Sequence, residues 1–362
     1  MPSATAAKKP DAAPRPVDPL NYPFADPPAP GTLTAVAPGV FWLRMPLPFV
    51  LNHINLWLLE DGDGWTIVDC GFATDEARGC WETIFANHLN GKPVTRVIVT
   101  HFHPDHIGLC DWLCQKFQVK PWMTKAEYLQ AHLVHNHLGG IEPQHVHELM
   151  TRHGLDNERM KWIEAREHLY PLGVPTLPHA HQRMREGDVI RIGTNDWRVV
   201  VGYGHAPEHA SLYCEQRGLF IAGDMLLPRI STNVSVWPAE PDADPVGDFL
   251  VSLKRYAALA APAANTLVLP SHGLPFHGVQ TRVEALHEHH RSRLEKLTAA
   301  CVTPQRAVDV IGVLFDRQFN DHHLMFAMGE AIAHLNHLMH RGVLRRSLNG
   351  ENQFQFQRNE GF

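Results

Sequence analysis

The chain is expected to adopt a mixed α/β (α+β) fold, with sheets layered between helices, a helical insertion and a C-terminal helical module. Three observations predict it. Short apolar runs of strand length alternate with amphipathic helical stretches as far as about residue 280. Four of those runs end in residue types suited to metal ligation. Beyond Val279 the pattern turns helical, closing on one short hairpin.

Taken in order, residues 1–30 are rich in Ala and Pro and lack an apolar core, so they read as a disordered tail and not a secretory signal. Apolar runs at 54–59 and 65–68 flank Asp61-Gly62-Asp63-Gly64, the turn chemistry of a hairpin. Residues 74–89 predict a helix with Trp81, Ile84, Phe85 and His88 along one face. After a histidine-rich loop come a helix at 107–117 and a strand at 119–123. Cys110 and Cys114, one helical turn apart, fit core packing better than a metal site.

Residues 124–178 are predicted to form the helical insertion. A helix at 124–137 opens on a Thr-x-x-Glu capping box, Thr124 with Glu127. Helices at 143–153 and 157–170 follow, and Pro171, Pro175 and Pro178 end the region. Such an insertion would hang over the ligand-bearing edge as a pocket wall hinged at Gly139-Gly140, or serve as rigid covering. Its His132, His135, His137, His145 and His147 read as solvent-facing or packed.

Residues 31–282 are expected to form the main domain and 283–362 the C-terminal module, with helices at 283–300, 304–315 and 324–341. Its hairpin pairs 343–346 with 354–356 across a turn at Asn349-Gly350. The clusters His287-Glu288-His289-His290 and Asp321-His322-His323 lack a strand-end setting and read as solvated helix faces.

Composition narrows the function. A chain of 362 residues, 44% hydrophobic, can bury a full core, and its net charge of −6 gives no general attraction to nucleic acid or anionic membrane. No apolar stretch approaches the ~20 residues that span a bilayer. Six cysteines without a paired framework predict free thiols in a reducing cytoplasm.

The chemistry lies at the strand exits. Val97-Ile98-Val99 runs into Thr100-His101-Phe102-His103-Pro104-Asp105-His106, where alternate residues leaving a strand converge on one ion and the last two point elsewhere. That tetrad suggests two metals; a histidine-rich surface turn is the competing reading, in a chain with 26 His. The strand at 197–201 leads to His205, the run at 219–223 to Asp224, and the run at 266–270 to Ser271-His272-Gly273.

These motifs resemble those of the metallo-β-lactamase-fold hydrolases, in particular the glyoxalase II-like and lactamase-β-like branches. The HxHxDH signature stands at His101, His103, Asp105 and His106; the third histidine, the bridging aspartate and the last histidine stand at His205, Asp224 and His272. The resemblance covers about residues 35 to 280 and takes in Val68-Asp69-Cys70-Gly71, similar to the family's DTG turn. It implies an αββα sandwich and two divalent metal ions per chain, with zinc expected. His101, His103 and His205 would hold the first ion, Asp105, His106 and His272 the second, and Asp224 both. Asp69 would orient a ligand imidazole or serve as an ordinary strand-end turn carboxylate, and His209, which could compete with His205 as a ligand, would brace its loop.

Asp224 stands where class B β-lactamases usually carry Cys, and His103 where flavodiiron proteins carry Glu, so antibiotic hydrolysis and redox di-iron chemistry are not expected. Tyr203-Gly204 replaces the usual Pro-Gly before His205. The resemblance implies a hydrolase that uses a metal-bridging hydroxide on a small ester, thioester or lactone. Asp105 would hold that hydroxide and pass a proton to the leaving group. No GxSxG elbow supplies a serine nucleophile.

The C-terminal module resembles a winged-helix-like extension found in the subfamily that includes endoribonucleases. The alternative function is therefore a metal-dependent phosphodiesterase or endoribonuclease. Arg341, Arg345 and Arg346 form only a small basic patch, diluted by Asp309, Asp316, Asp321 and Glu330. A small-molecule substrate is expected, with no membrane or nucleic-acid partner. The module is expected to pack on the main domain, or on a second subunit as a homodimer, through Leu324, Phe326, Leu335 and Leu338. A non-catalytic metal-binding protein is the third reading, weakened by the occupation of all seven ligand positions.

Overall fold

The structure is a computed structural model and describes residues 19–139, 142–156, 158–160, 169–260, 265–315 and 321–362. Most of the expected tail lies outside these residues, as do Gly140 of the hinge, residues 161–168 of the helix expected at 157–170, and Asp316. The side chains of Asp321, His322 and His323 are likewise outside the description. The end of the expected tail is packed, because Leu20 is buried and Asn21 exchanges backbone hydrogen bonds with His277 at 3.3 and 2.8 Å.

Two sheets form the centre. The first runs β1 (Thr34–Ala37), β2 (Val40–Pro46), β3 (His53–Asp61), β4 (Gly64–Val68), β5 (Val94–Ile98), β6 (Pro121–Thr124) and β7 (Gln182–Met184), in that order across the sheet. Its first four strands pair antiparallel and β4 to β7 parallel. The second comprises β8 (Val189–Ile192), β9 (Asn195–Gly202), β10 (His209–Cys214), β11 (Leu219–Gly223), β12 (Leu267–Pro270) and β13 (Phe276–His277), ordered β13-β12-β11-β10-β9-β8.

β3 shows why the strands read as unbroken apolar runs. Leu56 and Leu58 face the helices on one side, and Trp57 and Leu59 face the other sheet, so both faces are dry. Between the sheets Trp42, Trp57, Val199, Leu212 and Leu269 interlock. Outside the first sheet, α1 (Asp75–Asn87) and α3 (Cys110–Phe117) press Trp81, Ile84 and Leu113 onto Leu56, Ile67 and Val97. Outside the second, α7 (Pro245–Ala260) and α8 (Val279–Ala300) pack Phe249, Tyr256, Val283 and Leu286 onto Val200, Phe220 and Val268. The layers are helix, sheet, sheet, helix, the αββα order the motifs imply.

The helix expected at 107–117 is two helices, α2 (Pro104–Ile107) and α3, broken at Gly108 and Leu109. A Cβ on Gly108 would lie 2.4 Å from the Gly173 carbonyl and 2.6 Å from that of Gly71, so the chain turns where backbones meet. The expected capping box is also absent. Thr124 caps α4 (Lys125–His135) without a side-chain hydrogen bond to it, and Glu127 faces inward, fully buried.

The insertion divides. α4 and α6 (Leu169–Gly173) lie against the ligand-bearing loops, while α5 (Pro143–Arg152) joins the C-terminal module. The His153 carbonyl accepts the amide of Val308 at 3.2 Å, and its ring stacks on Phe356, with ring centres 5.9 Å apart. Half of the expected overhang therefore faces away from the site.

In the C-terminal part α8 runs without a break through residues 282 and 283. Of the helix expected at 304–315 only a 3₁₀ turn at Val308–Val310 and α9 (Ile311–Leu314) form, since Gln305 is drawn into a β-bridge with Phe356 and Asp309 accepts from the Arg306 amide. α10 (Asp321–His340) buries Leu324, Leu335 and Leu338 in the core it shares with α7 and α8, whereas Phe326 is exposed. β14 (Leu344–Leu348) and β15 (Phe354–Arg358) make the final hairpin. Its loop spans 349–353, wider than the expected turn, because the Asn349 carboxamide accepts the amides of Glu351 and Gln353. Among the described residues no helix is long and apolar enough to cross a membrane.

Candidate metal centre

β4 and β5 run parallel, as do β11 and β12, and β9 matches β11 because both oppose β10. Their carboxyl ends therefore deliver Asp69, the loop 100–106, His205, Asp224 and His272 to one edge of the sandwich. Pro104 starts α2 directly after His103, and this one turn carries Asp105 and His106. Gly204 adopts φ +99° and leaves a Cβ only 2.3 Å from the Pro245 carbonyl, so only glycine fits the turn that aims His205.

Two groups of ligand-type atoms converge. His101, His103, His205 and Asp224 form one and Asp105, His106 and His272 the other, the atoms of each within 4.8 Å of one another. In the first, His101 Nε2 lies 2.9 Å from His103 Nδ1 and 3.2 Å from His205 Nε2. In the second, His272 Nε2 lies 3.4 Å from Asp105 Oδ2, and His106 Nε2 lies 3.8 Å from it. Asp224 serves both, with Oδ2 3.4 Å from His205 Nε2 and Oδ1 3.5 Å from Nε2 of both His106 and His272.

The inward-facing nitrogens of His101, His106, His205 and His272 are set by what each ring donates on the other side. His106 Nδ1 donates to Asp69 Oδ2 at 2.8 Å, His205 Nδ1 to the Asn233 carbonyl at 2.8 Å, and His272 Nδ1 to the His53 carbonyl at 2.8 Å. The Thr100 hydroxyl donates to Asp69 and receives His101 Nδ1 at 3.0 Å. His209, expected as a brace, accepts the Asp224 amide on Nε2 at 3.2 Å and binds no cluster atom.

Burial, helped by the surrounding histidines, holds the His101 imidazole well below its usual range, and burial with His205 pushes His103 down to about 3. Both rings keep lone pairs at neutral pH. Burial opposes protonation of His106 and His272 as well. There the carboxylates win: Asp69, Asp105 and Asp224 hold His106 well above its usual range, and Asp224 with Asp105 lifts His272 to about 10.

This donor set fits metal ions. His106 Nε2 and Asp224 Oδ1 are buried with no hydrogen-bond partner, although they face each other. Tetrahedral Zn²⁺ with bonds of about 2.0–2.1 Å separates its ligands by about 3.3 Å, close to the spacing of both groups.

Several residues around the ligands escape a reading of the sequence. Glu127 is hidden in an apparent capping box. Asn55, which donates to the carbonyls of Pro270 and Gly273, and Arg44, which donates to Asn55 and Gly273, frame the His272 turn. Neither carries a local motif.

Residues 50–297 match the family described as the metallo-beta-lactamase superfamily, and residues 294–359 match the metallo-beta-lactamase-like C-terminal domain. The probable metallo-hydrolase YqjP of Bacillus subtilis (strain 168) is 27% identical over 302 residues, 82% of this chain and 91% of that protein. A beta-lactamase domain protein from Burkholderia ambifaria is 46% identical, with a TM-score of 0.87 over 94% of this chain and 98% of that one. A metallo-beta-lactamase family protein from Thermus thermophilus is 30% identical, with a TM-score of 0.74 over 90% of this chain and all (100%) of that one.

Proposed function

Because the chain belongs to the metallo-β-lactamase superfamily and is a metal-dependent hydrolase, we propose that it is a dinuclear enzyme acting on a small ester, thioester or lactone. The observation that carries the two-metal reading is Asp224, whose two oxygens enter the two groups separately. His101, His103 and His205 would hold the first ion, Asp105, His106 and His272 the second, and Asp224 both. Imidazole and carboxylate donors at tetrahedral spacing favour zinc. Two such ions supply an acidified water at neutral pH and positive charge for a developing oxyanion.

The protein's own groups then divide the work. Asp105 keeps 20% of its side chain exposed, against 11% for Asp224 and none, 0%, for His106. It is the ligand carboxylate turned toward solvent, placed to hold a proton and hand it to a leaving group. The Asn233 and His53 carbonyls keep the rings of His205 and His272 fixed, so the reacting edge needs little reorganisation.

Apolar surface beside the ligands supports an acyl substrate over a phosphodiester. The loop between β2 and β3, just before His53, exposes Phe49, Val50 and Leu51. Phe49 meets Phe72 edge to face at 5.3 Å, and Gly173 of α6 packs on Phe72 beside exposed Leu172. Arg44 is engaged by Asn55 and Gly273, not presented to solvent as a phosphate contact. Six free, buried cysteines suit a reducing cytoplasmic setting.

A turnover screen of the metal-loaded protein across thioesters, lactones, phosphodiesters and RNA tests the assignment. Acyl substrates should be hydrolysed. Turnover confined to phosphodiesters or RNA would replace this reading with the nuclease alternative.

A further inference from the structure

Glu127 is a carboxylate with no role in either ligand group, yet it is fully buried at the back of one of them. Its Oε2 accepts the amide of Phe102 at 2.9 Å, and its Oε1 accepts the amide of Glu208 at 2.6 Å. Phe102 stands between His101 and His103, and Glu208 lies three residues beyond His205. One side chain from α4 therefore ties together the two loops that carry the first group's histidines.

The rest of the α4 terminus locks the same joint. Thr124 Oγ1 donates to the Glu208 carbonyl at 2.9 Å, and the Ala126 amide donates to Glu208 Oε2 at 3.2 Å. From α6, the Tyr170 hydroxyl donates to the Phe102 carbonyl at 2.6 Å. Burial pushes the Glu127 carboxyl up to about 7, against the two amide hydrogen bonds that favour its charged form. The second group is braced by other residues, Asp69 behind His106 and the His53 carbonyl behind His272.

We propose that Glu127 is a positioning residue for the first metal site, setting the spacing between the His101–His103 loop and the His205 loop from within the helical insertion. This rests on the two-metal reading. It assigns the insertion a task beyond covering apolar surface: α4 sets the geometry of one site and leaves the other to Asp69 and His53.

The test measures Co²⁺ affinity, calorimetrically and from the visible absorption, in two full-length backgrounds. His272→Ala leaves only the first group complete, and His103→Ala leaves only the second complete. Adding Glu127→Ala should weaken Co²⁺ binding about 10- to 100-fold in the first background and by less than about threefold in the second. Glu127→Gln, which keeps one accepting oxygen but sets an amide N–H against a backbone donor, should fall between. It carries the same comparison if the alanine variant does not fold. Equal losses in both backgrounds, or no loss in either, would overturn the proposal. A parent chain that takes up a single Co²⁺ would sink the two-metal reading instead, and the His272→Ala comparison would still decide the role of Glu127.

Discussion

Asp69 Oδ2 lies 2.8 Å from Nδ1 of His106, joining the end of β4 to the α2 turn and leaving His106 Nε2 aimed at Asp224. Asp69 holds this place at φ +63°, a conformation that Asn tolerates well. Asp69→Asn should therefore keep the backbone conformation, with a melting temperature lowered by several degrees because one amide N–H is set against the Thr100 amide or the His106 ring N–H. Its metal affinity or kcat/KM should drop about 10- to 100-fold, because the neutral amide supports the imidazole less well. Full activity in a metal-replete variant would remove Asp69 from the site's machinery.

Seven ligand-type residues in two groups predict about two metal ions per purified chain. Elemental analysis after careful loading checks this, and one tight ion would reject it. Asp224→Ala should lower occupancy at both sites together with activity, since its oxygens reach both groups.

The apolar rim should select among acyl substrates. Phe49→Ala and Leu172→Ala are expected to lower kcat/KM about 3- to 10-fold for long-chain thioesters and much less for short ones, with metal content unchanged. Identical losses for both chain lengths would mean that the rim does not touch the acyl chain.

Acid should loosen the C-terminal core. Burial pushes the imidazoles of His290 to about 2, and of His334 and His153 to about 3. Below the unfolded value of about 6.5 the unfolded chain takes up these protons and the folded chain does not. Their contribution is thus intact above that pH and is lost as pH falls toward 3. His290 Nε2 lacks a hydrogen-bond partner, but its Nδ1 lies 3.1 Å from Nε2 of buried His334, so His290→Leu should fold with a lower melting temperature at neutral pH and show a shallower fall between about pH 7.5 and 5. Parallel pH curves for parent and variant would refute the link.

The nuclease alternative makes its strongest demand on Arg341, Arg345 and Arg346. Arg346 is paired with Asp242 at 2.6 Å and lies over the Phe354 ring, and Arg345 donates to Gln357. A triple alanine variant should lose some stability while keeping its activity on small acyl substrates. Salt-sensitive RNA binding by the parent that vanishes in the variant would argue for phosphate recognition.

The seven-residue constellation and the layered fold are legible in the chain alone, because each signal is local. A run such as Leu219–Gly223 is apolar on both faces when buried between layers, and the ligand follows directly at its exit. What holds those ligands emerges only when the elements pack. Thr124 and Glu127 carry the spacing of a capping box, yet Glu127 answers amides 25 and 81 residues away. Likewise α3 starts late because Gly108 meets the backbones of Gly71 and Gly173, and α5 leaves the ligand edge because His153 finds Phe356. A buried carboxylate goes where unsatisfied N–H groups converge, and a helix breaks where backbones collide. Neither leaves a period or a motif in the chain, since the partners become neighbours only after the sheets have packed.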